Sequence, residues 1–187
     1  MTVKVMMVIL ILCGCAGMAM RGVRRLIKSL KFYTQLSNLT AIVSAFLFLL
    51  TAGAPWVSYL RYLAVCLLIM TCLVTVFVLV PTLKDTHLLL WSRVGFLLHL
   101  LCPFLNTVSY LFLEPHVGAS AIIVPAIATF VYGVIMLYLN YINKMDGPYP
   151  FLRVHHQSAM ATVMWIAVLL ILISSIGAGV WYLSSLI

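Results

Sequence analysis

The sequence predicts an all-α membrane protein, a single bundle of six transmembrane helices. Three observations lead to this fold class: 65% of the 187 residues are hydrophobic, only 7% are charged, and the apolar residues form six long runs. Soluble domains carry roughly a quarter charged residues, whereas a bilayer core requires about 20 apolar residues per helix. The composition therefore excludes a soluble enzyme or binding domain, and the length fits one domain over residues 1–187.

The first apolar run, residues 3–20, has a length that resembles the apolar part of a signal peptide. Its strong positive cluster follows the run instead of preceding it, which favours a retained helix. The spacing of the cluster predicts a short amphipathic connector at the membrane surface. The cluster comprises Arg21, Arg24, Arg25, Lys28 and Lys31.

The other runs end at proline, glycine or charged residues, and predict helices over residues 32–53, 59–80, 88–113, 119–142 and 159–186. Pro81 is expected to stop the third helix and Pro125 to kink the fifth. Arg93 places the start of the membrane-spanning part of the fourth helix near Val94. The loop before the last helix contains Gly147-Pro-Tyr-Pro-Phe151, which is too turn-rich for a helix. This loop could be a surface turn or a lid on the mouth of the bundle.

The distribution of lysine and arginine predicts an orientation. Nine of the 11 residues lie in or beside the first, third and fifth loops, and only Lys4 and Arg61 lie on the opposite side. Positive residues are enriched in cytoplasmic loops, so we expect the odd-numbered loops in the cytoplasm and both termini outside. Orientation also accounts for the net charge of +8 without a nucleic-acid partner.

The second helix opens with a concentration of polar residues that is unusual in so apolar a chain. Thr34, Ser37 and Asn38 share one helix face, and Gln35 and Thr40 lie beside them. The simplest interpretation is a threonine that caps the helix. The alternative is a nucleophile, because a threonine hydroxyl can attack a carbonyl carbon when a base lies within hydrogen-bond reach. Gln35, Ser37 or Asn38 could then orient the base or donate hydrogen bonds to an oxyanion.

His99, in an apolar segment of the fourth helix, is the candidate base. Ionisable residues inside a membrane are costly and typically functional, although a neutral histidine can also simply bond neighbouring helices. Thr34 lies roughly 5 Å past Lys31, and His99 roughly 9 Å past Arg93, at 1.5 Å per residue. The two side chains can therefore meet if the second and fourth helices are neighbours.

Other polar residues are less specific. Asn106, like Pro103, shares a helix face with His99, and Tyr132 on the fifth helix could line a cavity or bond across helices. All three acidic residues lie in the links between runs: Asp85, Glu114 and Asp146. A Ser-His-Asp triad is therefore not expected, and no motif demands a metal or an organic cofactor.

The chain resembles the androgen-induced / androgen-dependent TFPI-regulating protein family of six-helix membrane hydrolases, in its bacterial form. The motifs that carry the resemblance are Tyr33-Thr-Gln-Leu-Ser-Asn38, His99 with Pro103 and Asn106 after it, and Gly147-Pro-Tyr-Pro-Phe-Leu152. Characterised members hydrolyse fatty acid esters of hydroxy fatty acids with an intramembrane threonine and histidine, which the resemblance carries onto Thr34 and His99. Members are usually described with cytoplasmic termini, opposite to the orientation that the charges predict.

Residues and resemblance together predict an intramembrane lipid esterase of a bacterial plasma membrane, with Thr34 as nucleophile, His99 as base and a membrane lipid as substrate. The residues expected to support the pair or line the pocket are Gln35, Ser37, Asn38, Asn106 and Tyr132. Three alternatives stay open. They are a lipid acyltransferase with the same pair, a non-catalytic lipid or small-molecule binding or transport protein, and a structural membrane protein.

Overall fold

The computed structural model describes residues 2–20 and 29–187. Within these ranges the chain forms six long apolar helices: α1 (Val3–Ala19), α2 (Tyr33–Leu50), α3 (Pro55–Leu83), α4 (Arg93–Leu113), α5 (Ala119–Tyr141) and α6 (Ala159–Ser185). Helices α2 to α6 are long and apolar enough to cross a membrane, and α1 is shorter. The protein is a multi-pass membrane protein of the all-α class, which confirms the predicted fold class. Most of the predicted basic connector, residues 21–28, lies outside the described residues.

Local sequence accounts for several helix ends. Pro55 opens α3, where the missing N–H of proline costs no hydrogen bond. At the start of α6, the hydroxyl of Ser158 accepts a hydrogen bond from the backbone N–H of Ala161, as an N-cap residue does. Pro125 lies in the first turn of the α-helical part of α5, Ile123–Tyr141. The preceding turn, Ala119–Ile122, is a 3-10 helix, so the helix changes type just before this proline, and the predicted kink stays a prediction.

Helices α3 and α4 each contain a π-helical turn followed two residues later by a proline. The turn Thr75–Leu79 precedes Pro81, and the turn Phe96–Leu101 precedes Pro103. A proline has no N–H to donate, and the wider turn lets the preceding residues bond five positions back. The prediction that Pro81 stops α3 is wrong, because the helix continues to Leu83.

Helix α3 forms the centre of the bundle. The consecutive residues Ala64, Val65 and Cys66, which lie on different sides of α3, have no exposed surface, as expected for a helix that is apolar all round. By contrast, large side chains such as Phe104 on α4 and Ile171 on α6 are about two-thirds exposed, at 65% and 67%. These outward faces are the ones that meet the hydrocarbon of the bilayer.

A buried ion pair joins α3 to the end of α4. Arg61 Nε and Nη2 donate to the two carboxylate oxygens of Glu114, at 2.8 and 2.9 Å. Arg61 Nη1 donates to Asn106 Oδ1 at 2.9 Å and to Ser44 Oγ at 3.3 Å, and Ser109 Oγ donates to Glu114 Oε1 at 2.7 Å. One expectation is corrected here, because Arg61 is not a flanking charge that reports orientation. Glu114 lies just past the end of α4, in the link where it was expected, but its carboxylate is buried.

Candidate functional site

The first turn of α2 does not use Thr34 as a cap. The N-cap residue is Phe32, which makes no side-chain capping bond, and Thr34 is the second residue of the helix. The interpretation of Thr34 as a helix cap is therefore wrong. Its side chain is 7% exposed, so the hydroxyl is buried inside the bundle and not directed at the membrane surface.

Ser37 and Asn38 hold this turn against the neighbouring helices. The carbonyl oxygen of Thr34 accepts hydrogen bonds from Ser37 Oγ at 3.0 Å and from Asn38 Nδ2 at 2.8 Å. Ser37 Oγ also shares a 2.8 Å hydrogen bond with Thr71 Oγ1 on α3, and Asn38 Nδ2 donates to Leu98 O on α4 at 3.2 Å. Both residues therefore position Thr34 instead of contacting a ligand themselves.

The Leu98 carbonyl is available to Asn38 because of the π-helical turn in α4. The N–H of Cys102 donates to Leu97 O, and the next residue, Pro103, has no N–H to give. Leu98 O thus has no donor within its own helix, and Asn38 supplies one from α2. Such turns are frequent at functional sites, and this one contains His99, the residue that follows Leu98.

His99 is held by a backbone carbonyl outside α4. The ring nitrogen Nδ1 lies 2.6 Å from Leu89 O, and because a carbonyl can only accept, Nδ1 must carry the proton. In the neutral imidazole Nε2 is then the nitrogen with a lone pair, which is the form that a general base requires. Gly95 allows this arrangement, since a Cβ at that position would lie 2.6 Å from Leu89 O.

The loop between α5 and α6 folds over this end of the bundle. Asn140 ties both ends of the loop to α5: its Nδ2 donates to Met145 O at 3.0 Å, and its Oδ1 accepts from Val154 N at 2.8 Å. Gly147 lets the loop fold on itself, because a Cβ there would lie 2.5 Å from Leu152 O. The loop is therefore a lid and not a surface turn. Its own Tyr149 is turned inward, with only 7% of its surface exposed.

Tyr149 brings a second hydroxyl to Thr34. The backbone N–H of Thr34, one of the free donors at the start of α2, donates to Tyr149 Oη at 3.4 Å. Tyr149 Oη also lies 3.5 Å from Thr34 Oγ1, a long hydrogen bond. The phenol ring is held between Phe32, in an edge-on contact, and Phe151, in a stacked one. Sequence reasoning missed Tyr149 as a site residue, although its motif in the loop was noted.

Thr34 and His99 line the same cavity, of about 280 Å³. We call it the polar cavity because five of its lining residues carry polar side chains: Thr34, Gln35, His99, Tyr149 and Arg153. The volume is large enough for several water molecules, which occupy roughly 30 Å³ each in the liquid. Among the described residues, the hydroxyl of Thr34 is paired with Tyr149 and not directly with His99. A water or a substrate group could therefore lie between them.

Gln35 is the member of the polar cavity whose bonding is incomplete. Its side chain has no exposed surface, and neither its Nε2 nor its Oε1 has a hydrogen-bond partner among the described residues. A buried amide without partners costs roughly 1–3 kcal/mol. Gln35 is among the residues that line the polar cavity, so its amide brings unused hydrogen-bonding capacity to this wall.

A second cavity, of about 80 Å³, lies on the other side of Thr34. We call it the apolar cavity because its walls are mostly aliphatic and aromatic side chains from α3, α5 and α6, such as Met70, Val74, Leu169 and Leu170. Thr34, Tyr149 and Leu79 line both cavities. Thr34 and Tyr149 thus stand at the boundary between an apolar space and a polar one.

The remaining predicted site residues fall in different places. Tyr132 lines the apolar cavity and also donates to Lys31 O at 2.8 Å. It therefore both lines a cavity and forms a hydrogen bond outside its own helix. Asn106 lines neither cavity and instead accepts from Arg61, which corrects its expected place near His99. Asn106 contributes to the surroundings of the Arg61–Glu114 ion pair and not to either cavity.

No family model, curated protein or solved structure matches this chain. The family relationship expected from the three motifs therefore stays a prediction, and the function has to be argued from the site.

Proposed function

We propose that the protein is an intramembrane lipid esterase that hydrolyses fatty-acyl esters, with Thr34 as nucleophile and His99 as base. The observation that carries the proposal is the position of Thr34 between the apolar cavity and the polar cavity. An acyl ester has the same division, since an apolar chain meets a polar group at the carbonyl carbon. With the chain in the apolar cavity, the carbonyl lies beside the Thr34 hydroxyl.

The acylation step uses the nitrogen of His99 that is not bonded to Leu89. Nε2 takes the Thr34 proton as Oγ1 bonds to the carbonyl carbon, and the alcohol leaves with that proton. Water in the polar cavity then loses a proton to His99 and attacks the acyl-threonine. Thr34 leaves with the proton, and the fatty acid is released. A bridging water, or closer approach when substrate binds, completes the first transfer.

Two further groups suit the developing negative charge on the carbonyl oxygen. Gln35 Nε2 is a buried donor with no partner among the described residues, and Tyr149 Oη lies beside Thr34 Oγ1. Preorganised donors aimed at an oxyanion commonly contribute roughly a hundredfold or more to the rate. Gln35 therefore takes the role of oxyanion donor, while Ser37 and Asn38 position the nucleophile.

A non-catalytic lipid-binding protein is the second candidate, and one observation favours it. Among the hydrogen bonds of the described residues, the Thr34 hydroxyl has a long one to Tyr149, and His99 Nδ1 has one to Leu89 O instead of Thr34. This arrangement suits a site that recognises an ester or carboxylate without cleaving it. An acyltransferase with the same pair differs from the esterase only in the acceptor of the acyl group.

Hydrolysis of acyl esters by the protein in lipid nanodiscs tests the proposal. Thr34→Val removes only the hydroxyl, and Thr40→Val is its matched control, because Thr40 lies on α2 outside both cavities and bonds to Leu36 O. His99→Gln is paired with His116→Gln, whose ring bonds to Tyr110 O away from the site.

We expect activity to be lost in Thr34→Val and His99→Gln, kept in both controls and partly restored in Thr34→Ser. Turnover that survives Thr34→Val refutes the nucleophile. A wild-type protein that binds the ester without cleaving it supports the lipid-binding candidate. Addition of a long-chain alcohol distinguishes the acyltransferase, which would form a new ester.

The same proposal includes an orientation, with the polar cavity facing the cytoplasm of a bacterial cell. The described cations of the links lie at the end of the bundle where α2 begins: Lys31, Lys84, Arg93, Lys144 and Arg153. With Arg61 buried in an ion pair, Lys4 is the exposed lysine or arginine at the opposite side within the described part of the chain. A tag at the C-terminus should therefore be accessible from outside intact cells, and a tag reached only after lysis reverses the orientation.

A further inference from the structure

One stripe of α5 faces the apolar cavity and contains a residue without a side chain. Thr129, Gly133 and Leu137 are spaced four residues apart, so they lie on one face of the helix, and all three line the cavity. A Cβ added at Gly133 would meet no atom within 4 Å. The position is therefore empty space in the wall of the cavity.

Neither backbone conformation nor packing explains this glycine. Among the described residues, Gly53 is the glycine with positive φ, so Gly133 has an ordinary helical backbone. Close approach of another helix is also excluded, since nothing lies near its Cβ position. Glycine inside a helix costs roughly 0.5–1 kcal/mol relative to alanine. Gly179 in α6 also has an open Cβ position, and Gly133 differs from it in lining a cavity.

The cavity is also open towards the bilayer along α5. Phe130 and Val134, on either side of Gly133 in the sequence, line the cavity and are 50% and 48% exposed. A chain dissolved in the membrane can therefore enter beside Gly133 without crossing water. On the far side, the cavity reaches the Thr34 hydroxyl.

We propose that Gly133 is the residue that sets the size of the acyl chain, by keeping open the mouth through which a long fatty-acyl chain extends from the apolar cavity into the bilayer. The proposal rests on the esterase function above and deepens it, because it names a residue of the same site that determines which acyl chains are accepted. A side chain at position 133 projects into the cavity or its opening and excludes long chains first.

The test compares Gly133→Ala and Gly133→Leu with Gly179→Leu. Gly179 is a matched control, since it lies inside α6, also has no atom within 4 Å of its Cβ position and lines neither cavity. Hydrolysis of butyryl and palmitoyl esters of the same alcohol is measured, together with crosslinking of a photoreactive palmitate analogue to the protein.

In Gly133→Leu we expect kcat/KM for the palmitoyl ester to fall by about tenfold or more, the scale of methylene-sized misfits in apolar pockets. Butyryl hydrolysis should stay near the wild-type value, palmitate crosslinking should drop, and Gly133→Ala should be intermediate. Gly179→Leu should match wild type in all assays. An unchanged ratio of palmitoyl to butyryl turnover, with unchanged crosslinking, overturns the proposal.

Crosslinking separates this inference from the proposed function. If the wild type cleaves neither ester but binds the palmitate analogue, and Gly133→Leu abolishes that binding, the esterase proposal fails while the role of Gly133 stands. Absence of crosslinking in the wild type contradicts the role of Gly133 even if butyryl esters are cleaved.

Discussion

Arg61→Met should strongly destabilise the bundle, because it leaves the Glu114 carboxylate buried without its cation. The side chains of the pair are 0% and 1% exposed, so solvent does not screen the remaining charge. The change removes two bonds to Glu114 and the two that Arg61 donates to Asn106 and Ser44. Breaking a buried pair from one side typically costs about 3–5 kcal/mol, and we expect a loss in that range.

Equilibrium unfolding in mixed micelles of increasing SDS content, monitored by tryptophan fluorescence, measures this cost. Adding Glu114→Gln should recover part of it, since the double variant buries no charge. The free-energy cost of the double variant should therefore be smaller than the sum of the costs of the two single variants, by up to about 3 kcal/mol. Lys4→Met removes an exposed cation and should leave the unfolding midpoint unchanged.

A cost below about 1 kcal/mol for Arg61→Met would place the pair in water, where exposed ion pairs contribute only that much. Strict additivity of the two single changes would show that Arg61 and Glu114 do not interact. Either result refutes the reasoning about how α3 meets the end of α4.

Three further changes test the support of the site. Asn38→Leu leaves two backbone carbonyls without their side-chain donor and should cost roughly 1–3 kcal/mol in the same unfolding assay; an unchanged midpoint contradicts the link between α2 and α4. Gly95→Ala should reduce ester hydrolysis by displacing the carbonyl that holds the histidine, whereas Gly118→Ala, with no atom within 4 Å of its Cβ position, should not. Tyr149→Phe keeps the stacking on Phe151 but removes the acceptor of the Thr34 N–H. It should lower the rate roughly a hundredfold and cost up to about 1–3 kcal/mol in the unfolding assay; full activity excludes the phenol from the reaction.

The helices themselves were predictable, because apolar runs of membrane-spanning length have few other structures available. Their details were less so. In the sequence, Pro81 predicts the end of a helix, but a π-helical turn before it allows α3 to continue. Whether a proline ends a helix depends on how the turn before it rearranges, which periodicity alone does not reveal.

The meeting of Thr34 and His99 at one cavity followed from counting depth along two helices that start at the same side. That count works because helical rise is constant. The pairing of α2 with α4, which Asn38 makes through Leu98 O, had to be assumed.

Contacts between distant parts of the chain were not predictable. Tyr149 reaches Thr34 across 115 positions, and Arg61 reaches Glu114 across 53. No periodicity or local motif relates such residues. The signal that could have suggested the ion pair was physical: an arginine inside an apolar run requires a buried acid, and Glu114 was the acidic residue at the same end.

Intact-protein and peptide mass spectrometry of the protein quenched during turnover of a palmitoyl ester tests the central claim most directly. The account predicts a palmitoyl adduct on the peptide that contains Thr34, accumulating in the wild type and absent from Thr34→Val. An adduct on another residue, or one that persists in Thr34→Val, would contradict it.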